Sequence, residues 1–113
     1  MALIFHLQDK IKNSFVHFAF RNENGEIEFA YGTRNKDLIP EDKQRRPRMN
    51  EKFKEQSYRL CSSGSKYQPY FDPNANEWKQ FDIDSLLWVK DEGIDRNVTK
   101  EEFNIICNFN DSL

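Results

Sequence analysis

The stretch SFVHFAFRNENGEIEFAYGT, residues 14–33, decides the fold. Two alternating, aromatic-rich runs, 14–22 and 27–33, flank Asn24-Gly25. Asn-Gly between such runs is the strongest short signal for a β-hairpin, because both residues tolerate the positive φ of a type I′ turn. A two-residue turn pairs Phe20 with Phe29, Phe18 with Tyr31 and Val16 with Thr33. Cross-strand partners share a face. Val16, Phe18, Phe20, Ile27, Phe29 and Tyr31 are therefore expected on one side of the hairpin. Phe15, His17, Ala19, Arg21, Glu28, Ala30 and Gly32 are expected on the other. The same turn sets Glu23 against Glu26, which is mildly unfavourable and leaves room for a slightly longer loop.

Upstream, Leu3, Ile4, Leu7 and Ile11 fall on one stripe of a helix over residues 3–12, with Asn13 as its stop. Phe5 lies off that stripe, and a strand over residues 2–7 is the alternative. Downstream, residues 37–40 read as a turn closed by Pro40. Residues 67–72 (YQPYFD) and 77–82 (EWKQFD) read as two strands joined by the four-residue turn Pro73-Asn74-Ala75-Asn76. Pro69 assigns the first of them an edge or a bulge. Ile83-Asp84-Ser85 is a tight, 3-10-like corner. Leu86-Leu87-Trp88-Val89 is a continuous apolar strand, central or barrel-closing. Asp91-Glu92-Gly93 is expected to break the sheet. Thr99 and Glu102 then form a capping box for a last helix to about Phe109, with Phe103, Ile106 and Cys107 on its apolar face.

The fold expected from these elements is mainly β. It is a small five-stranded SH3-like or Sm-like antiparallel barrel with short N-terminal and C-terminal helices. One domain spans residues 1–113. The barrel takes about 14–90, with an exposed basic insertion at about 41–66. An acidic helical extension takes about 91–113. Ten Phe, four Tyr and two Trp supply a compact aromatic core.

Ile11–Thr33 resembles the WYL-like, Sm-type SH3 β-barrel family, found in gut Bacteroidetes and their phages. The resemblance is carried by Ala30-Tyr31-Gly32-Thr33, Ile39-Pro40, Tyr70-Phe71-Asp72, Trp78-Lys79-Gln80-Phe81 and Leu86-Leu87. It covers about residues 8–89. Residues 41–66 stand as an insertion, and the helix after Gly93 has no counterpart. Glu28 stands where the family typically has an arginine. The resemblance implies the fold and carries little about function.

Charge is unevenly spread. Residues 1–81 carry 14 basic and 11 acidic side chains, and residues 82–113 carry 3 basic and 8 acidic ones. The apolar start, residues 1–7, lacks a charged leader and ends at Gln8-Asp9-Lys10, so neither a signal peptide nor a membrane span is expected. The cytoplasm of a bacterial host is the expected compartment. Cys61 and Cys107 are then free thiols, Cys107 buried.

No catalytic constellation is apparent, and the expected protein is not an enzyme. His6 and His17 do not converge with a cysteine, and His17 reads as a surface or cross-strand residue. Asp72, Asp82 and Asp84 follow strands as turn formers. No metal or other cofactor is expected. What remains is binding. The first expectation is a small phage or mobile-element protein that docks on a host or virion protein. The alternative is a nucleic-acid-binding regulatory protein. Its site would combine Lys43, Arg45, Arg46, Arg48, Lys52, Lys54 and Arg59 with Tyr58, Tyr67 and Tyr70, stacking bases beside a basic groove. Trp78 is assigned to the core. A homo-oligomer is compatible with the fold.

The alternative has a direct test. Binding of single- or double-stranded DNA or RNA should weaken steeply with salt and be lost when Arg45, Arg46 and Arg48 become Ala. The absence of any gel shift at low salt rules it out.

Overall fold

A computed structural model describes residues 2–44 and 67–113. Most of the expected insertion, the Cys61–Ser65 stretch included, lies outside the described residues. The chain opens with α1 (Leu3–Ile11), whose stripe buries Leu7 and Ile11 and leaves Phe5 exposed. Then come β1 (Val16–Arg21) and β2 (Ile27–Gly32), and two 3-10 turns at Lys36–Leu38 and Glu41–Lys43. Beyond the undescribed segment follow β3 (Tyr67–Asp72), β4 (Glu77–Asp82), a 3-10 corner at Ile83–Ser85, β5 (Leu86–Val89), β6 (Gly93–Ile94) and α2 (Lys100–Asp111).

The hairpin forms, but one residue away from the expected register. Phe18 faces Ala30, Phe20 faces Glu28 and Arg21 faces Ile27. The loop therefore holds three residues. Its ends meet where the Asn22 N–H donates to the Glu26 carbonyl at 2.8 Å. Inside it, the Gly25 N–H donates to the Asn22 carbonyl at 2.9 Å. The Asn22 side chain selects this turn, since its Oδ1 accepts from the N–H groups of Asn24 and Glu26 at 3.0 and 3.1 Å. Gly25 carries the positive φ, 78°, and Asn24 does not share it. This is a turn followed by a left-handed glycine rather than a type I′ turn.

A one-residue slip turns every side chain of β2 over relative to β1. Ile27, Phe29 and Tyr31 thus leave the side of Phe18 and Phe20, and Ala30 joins it. The inversion gives the sheet two apolar faces. On one, Phe18, Phe20, Leu86 and Val89 pack with Leu7 and Ile11 of α1 and with Tyr70 and Phe81 of β3 and β4. On the other, Ala19, Leu87 and Trp88 pack with Ile106 of α2, flanked by Ile27, Phe29 and Phe109. A bulge opposite Ala19 and Phe20 inserts Leu87, so Leu86 and Val89 share the first face while Leu87 and Trp88 share the second. All four of its residues are buried, as its unbroken apolar run implies.

The described residues do not close a five-stranded barrel. Among the described residues, six strands make two sheets, ordered β2-β1-β5-β6 and β3-β4. Residues 91–93 do not end the first sheet. A turn with Asp91 at φ 67° brings Gly93 and Ile94 back onto β5. The two sheets meet at one rung among these residues, Thr33 with Phe71, which exchange N–H to carbonyl bonds of 3.1 and 2.9 Å. In an antiparallel ladder the next rungs need an N–H from residues 69 and 73. Both are proline, so the ladder stops on each side.

That rung is held from all sides. Thr33 is fully buried; its hydroxyl donates to the Ile11 carbonyl at 3.1 Å and accepts the Asn35 N–H at 3.0 Å. The Arg34 N–H also reaches the Ile11 carbonyl, at 2.8 Å. Gly32 lets β3 approach, because a Cβ there would stand 2.5 Å from the Tyr70 ring and 2.7 Å from the Phe71 carbonyl oxygen. Gly32→Ala should therefore lower stability by about 1–3 kcal/mol through overpacking. Urea unfolding checks this, and an unchanged midpoint would mean that β3 shifts aside freely.

Candidate functional site

The open seam between the sheets leaves a cleft of about 630 Å³ at the hairpin end. Its floor is the buried, stacked pair Phe20 and Phe81, with ring centres 5.0 Å apart, and the half-buried Tyr67 is the more accessible aromatic of the lining. Four carboxylates share the lining: Glu23 from the hairpin loop, Glu28 from β2, Asp82 from the end of β4 and Asp84 from the corner. The corner is rigid, since Asp82 Oδ1 accepts the Asp84 N–H at 2.9 Å and Ser85 Oγ donates to the Asp82 carbonyl at 2.6 Å. Asp82 is thus a turn former, as expected. So is Asp72, whose Oδ1 accepts from Asn74 and Ala75 at 2.9 and 3.1 Å.

Among the described residues, Arg21 is the single cation of the lining, and it is engaged. Its Nε and an Nη meet the Glu102 carboxylate of α2 at 3.0 and 2.6 Å. That hydrogen bond is the main reason the Glu102 carboxyl is held below its usual range and the guanidinium is pushed above its own. The cleft therefore presents carboxylates to solvent with no open cation among its described lining residues. Those residues include no histidine, cysteine or lysine, and so no nucleophile with a nitrogen base. Among the described residues, no group of three or more His, Cys, Asp or Glu is placed to hold a metal ion.

The residues expected to bind nucleic acid fare differently from one another. Tyr67 does line the cleft. Tyr70 is not a surface aromatic: it is 2 % exposed and packs edge-on against Phe18 at 5.0 Å. Burial, then Glu28 and Asp72, push its phenol well above the usual range, so it serves the core. Lys43 ends the second 3-10 turn, and its carbonyl accepts the Trp78 indole N–H at 2.7 Å. Arg45, Arg46, Arg48, Lys52, Lys54, Tyr58 and Arg59 lie outside the described residues. The carboxylate cleft is the feature that reading along the chain missed. Its members come from three separate segments, and only the approach of the two sheets unites them.

A family model described as WYL_2, Sm-like SH3 beta-barrel fold, matches residues 4–87. The chain belongs to this family. The WYL_2 match runs from α1 into β5, so β6 and α2 are additions beyond it. No curated protein and no solved structure matches the chain significantly. No helix among the described residues is long and apolar enough to cross a membrane.

The added helix covers the second face of the WYL_2 sheet. Its capping box is present as expected, and Ile106 is buried, while Cys107 is only half-buried. Phe109 stacks on Phe29 at 3.9 Å. His17 is indeed a cross-strand residue: it pairs with Tyr31, with rings 4.3 Å apart, and meets Phe109 edge-on at 6.1 Å. Burial, then the nearby Lys90, lowers the His17 pKa from 6.5. The unfolded chain thus takes up this proton before the folded one does. The His17 contribution is intact above about pH 7 and is lost as pH falls through 6.5 towards the lowered native value. Melting temperatures between about pH 7.5 and 5 should fall less for His17→Phe than for the wild type. Parallel profiles would show that His17 has no part in the loss.

Proposed function

We propose that this WYL_2 protein is a non-enzymatic binding module that takes a Lys- or Arg-bearing segment of a protein partner in the carboxylate cleft. The observation that carries the reading is the lining itself: Glu23, Glu28, Asp82 and Asp84 around the Phe20–Phe81 pair and Tyr67, with Arg21 already neutralised. A long basic side chain suits such a site, because its alkyl stem can lie on the half-buried Tyr67 ring while its charged head meets carboxylates. Opposite charge also speeds and orients docking. Docking of a small phage or mobile-element protein on a host or virion protein is one setting for such a module.

The same lining disfavours nucleic acid in this cleft, since phosphates would face four carboxylates. Fluorescence anisotropy with a dye-labelled tetra-arginine peptide tests the choice. Binding is expected to weaken with salt, and roughly tenfold in Glu23→Gln/Glu28→Gln, the loss of two near-surface charges. A wild type that ignores the peptide and binds single-stranded RNA instead would overturn the proposal.

A further inference from the structure

Asn24-Gly25 is a reactive bond as well as a turn signal. Asparagine before glycine is the pair in which the next backbone nitrogen reaches the side-chain amide most freely, because glycine has no Cβ to obstruct the approach. It is the one such pair in the chain. The loop leaves it accessible: Asn24 and Gly25 are both exposed, and a Cβ added at Gly25 would meet nothing within 4 Å. Among the described residues no hydrogen bond ties the Asn24 side-chain amide. Asn13, which precedes Ser14, differs, since its Nδ2 donates to the Asp9 carbonyl at 3.2 Å. The backbone around Asn24 is held by a single residue. Asn22 accepts the Gly25 N–H on its carbonyl at 2.9 Å, and its Oδ1 accepts the N–H groups of Asn24 and Glu26 at 3.0 and 3.1 Å.

We propose that Asn24-Gly25 is a site of spontaneous deamidation, and that Asn22 sets its rate in the folded protein. The Gly25 backbone nitrogen gives up its proton and attacks Cγ of Asn24. The Cγ–Nδ2 bond breaks, and the amide nitrogen leaves as ammonia, taking up that proton. Water then opens the resulting cyclic imide at either carbonyl. One opening yields aspartate and the other isoaspartate, whose main chain runs through Cβ. Water is the sole co-reactant, and nothing is oxidised or reduced. While the turn is closed, the Gly25 N–H is committed to the Asn22 carbonyl, so its nitrogen is free neither to lose the proton nor to swing onto Cγ. The reaction therefore waits on local opening of the loop. The Asn22 side chain, by clamping Asn24 and Glu26, makes that opening rarer. Both products add a negative charge between Glu23 and Glu26. Isoaspartate also lengthens the main chain of the loop that fixes the β2 register.

The test ages the full chain at mildly alkaline pH, both folded and in guanidinium chloride. Trypsin, cutting after Arg21 and Arg34, then releases residues 22–34, and fragmentation mass spectrometry locates the change from amide to acid. The folded wild type should convert at residue 24, roughly tenfold more slowly than the unfolded chain, as a loop that must first open locally does. Asn22→Ala should speed the folded reaction about fivefold, the weight of one hydrogen bond, and leave the unfolded rate unchanged. Asn22→Asp keeps the acceptor and should stay close to the folded wild type. Asn24→Gln should abolish the conversion at this position. A folded wild type still intact when the unfolded chain has long been fully converted would overturn the site. Equal rates in the folded and unfolded wild type would overturn the guard, as would a folded Asn22→Ala protein that reacts no faster than the wild type. Circular dichroism shows whether each variant is folded, and if Asn22→Ala is not, the folded and unfolded wild-type rates still decide.

Discussion

Among the described residues one backbone rung, Thr33 with Phe71, joins the two sheets, and their arrangement follows from its isolation. Pro69 and Pro73 remove the donors that would extend it. Gly32 admits the neighbouring strand closely enough for the rung to form at all. The buried Thr33 hydroxyl then ties the rung to the end of α1 and to the first 3-10 turn. That hydroxyl is satisfied as donor and as acceptor, as burial at a crowded joint demands. The Gly-Thr pair that ends the second strand thus has a physical role, in which the glycine makes room and the threonine occupies the joint.

Among the described residues the sheets are paired nowhere else. A cleft lies between them at the hairpin end, and the local sequence there supplies carboxylates rather than the cations of a nucleic-acid groove. α2 extends this logic. Its apolar side seals a face that the family match leaves without its helix, and its first turn reaches Arg21.

Much of the architecture is legible along the chain. The ends of β3 and β4, the corner at residues 83–85, the central β5 and the capping box of α2 all follow from local rules: turn residues, alternation, apolar runs and caps. The hairpin shows where such rules stop. Asn24-Gly25 marks the turn, but the Asn22 side chain chooses a three-residue loop over a two-residue one, and a single residue inverts β2. Tyr70 illustrates the same boundary. Its neighbourhood in sequence suggests a binding aromatic, whereas packing against Phe18 and Gly32 makes it core.

By itself, then, the sequence determined the two helices, strands β1 to β5, their order and the family, because these depend on interactions between residues close along the chain; β6 was not among them. The tertiary structure alone decided which face each strand presents, that the two sheets share a single rung among the described residues, and that Glu23, Glu28, Asp82 and Asp84 share one cleft. Those outcomes depend on register and on the approach of distant segments. A change of one residue in a loop tips the register without altering the alternating pattern of either strand.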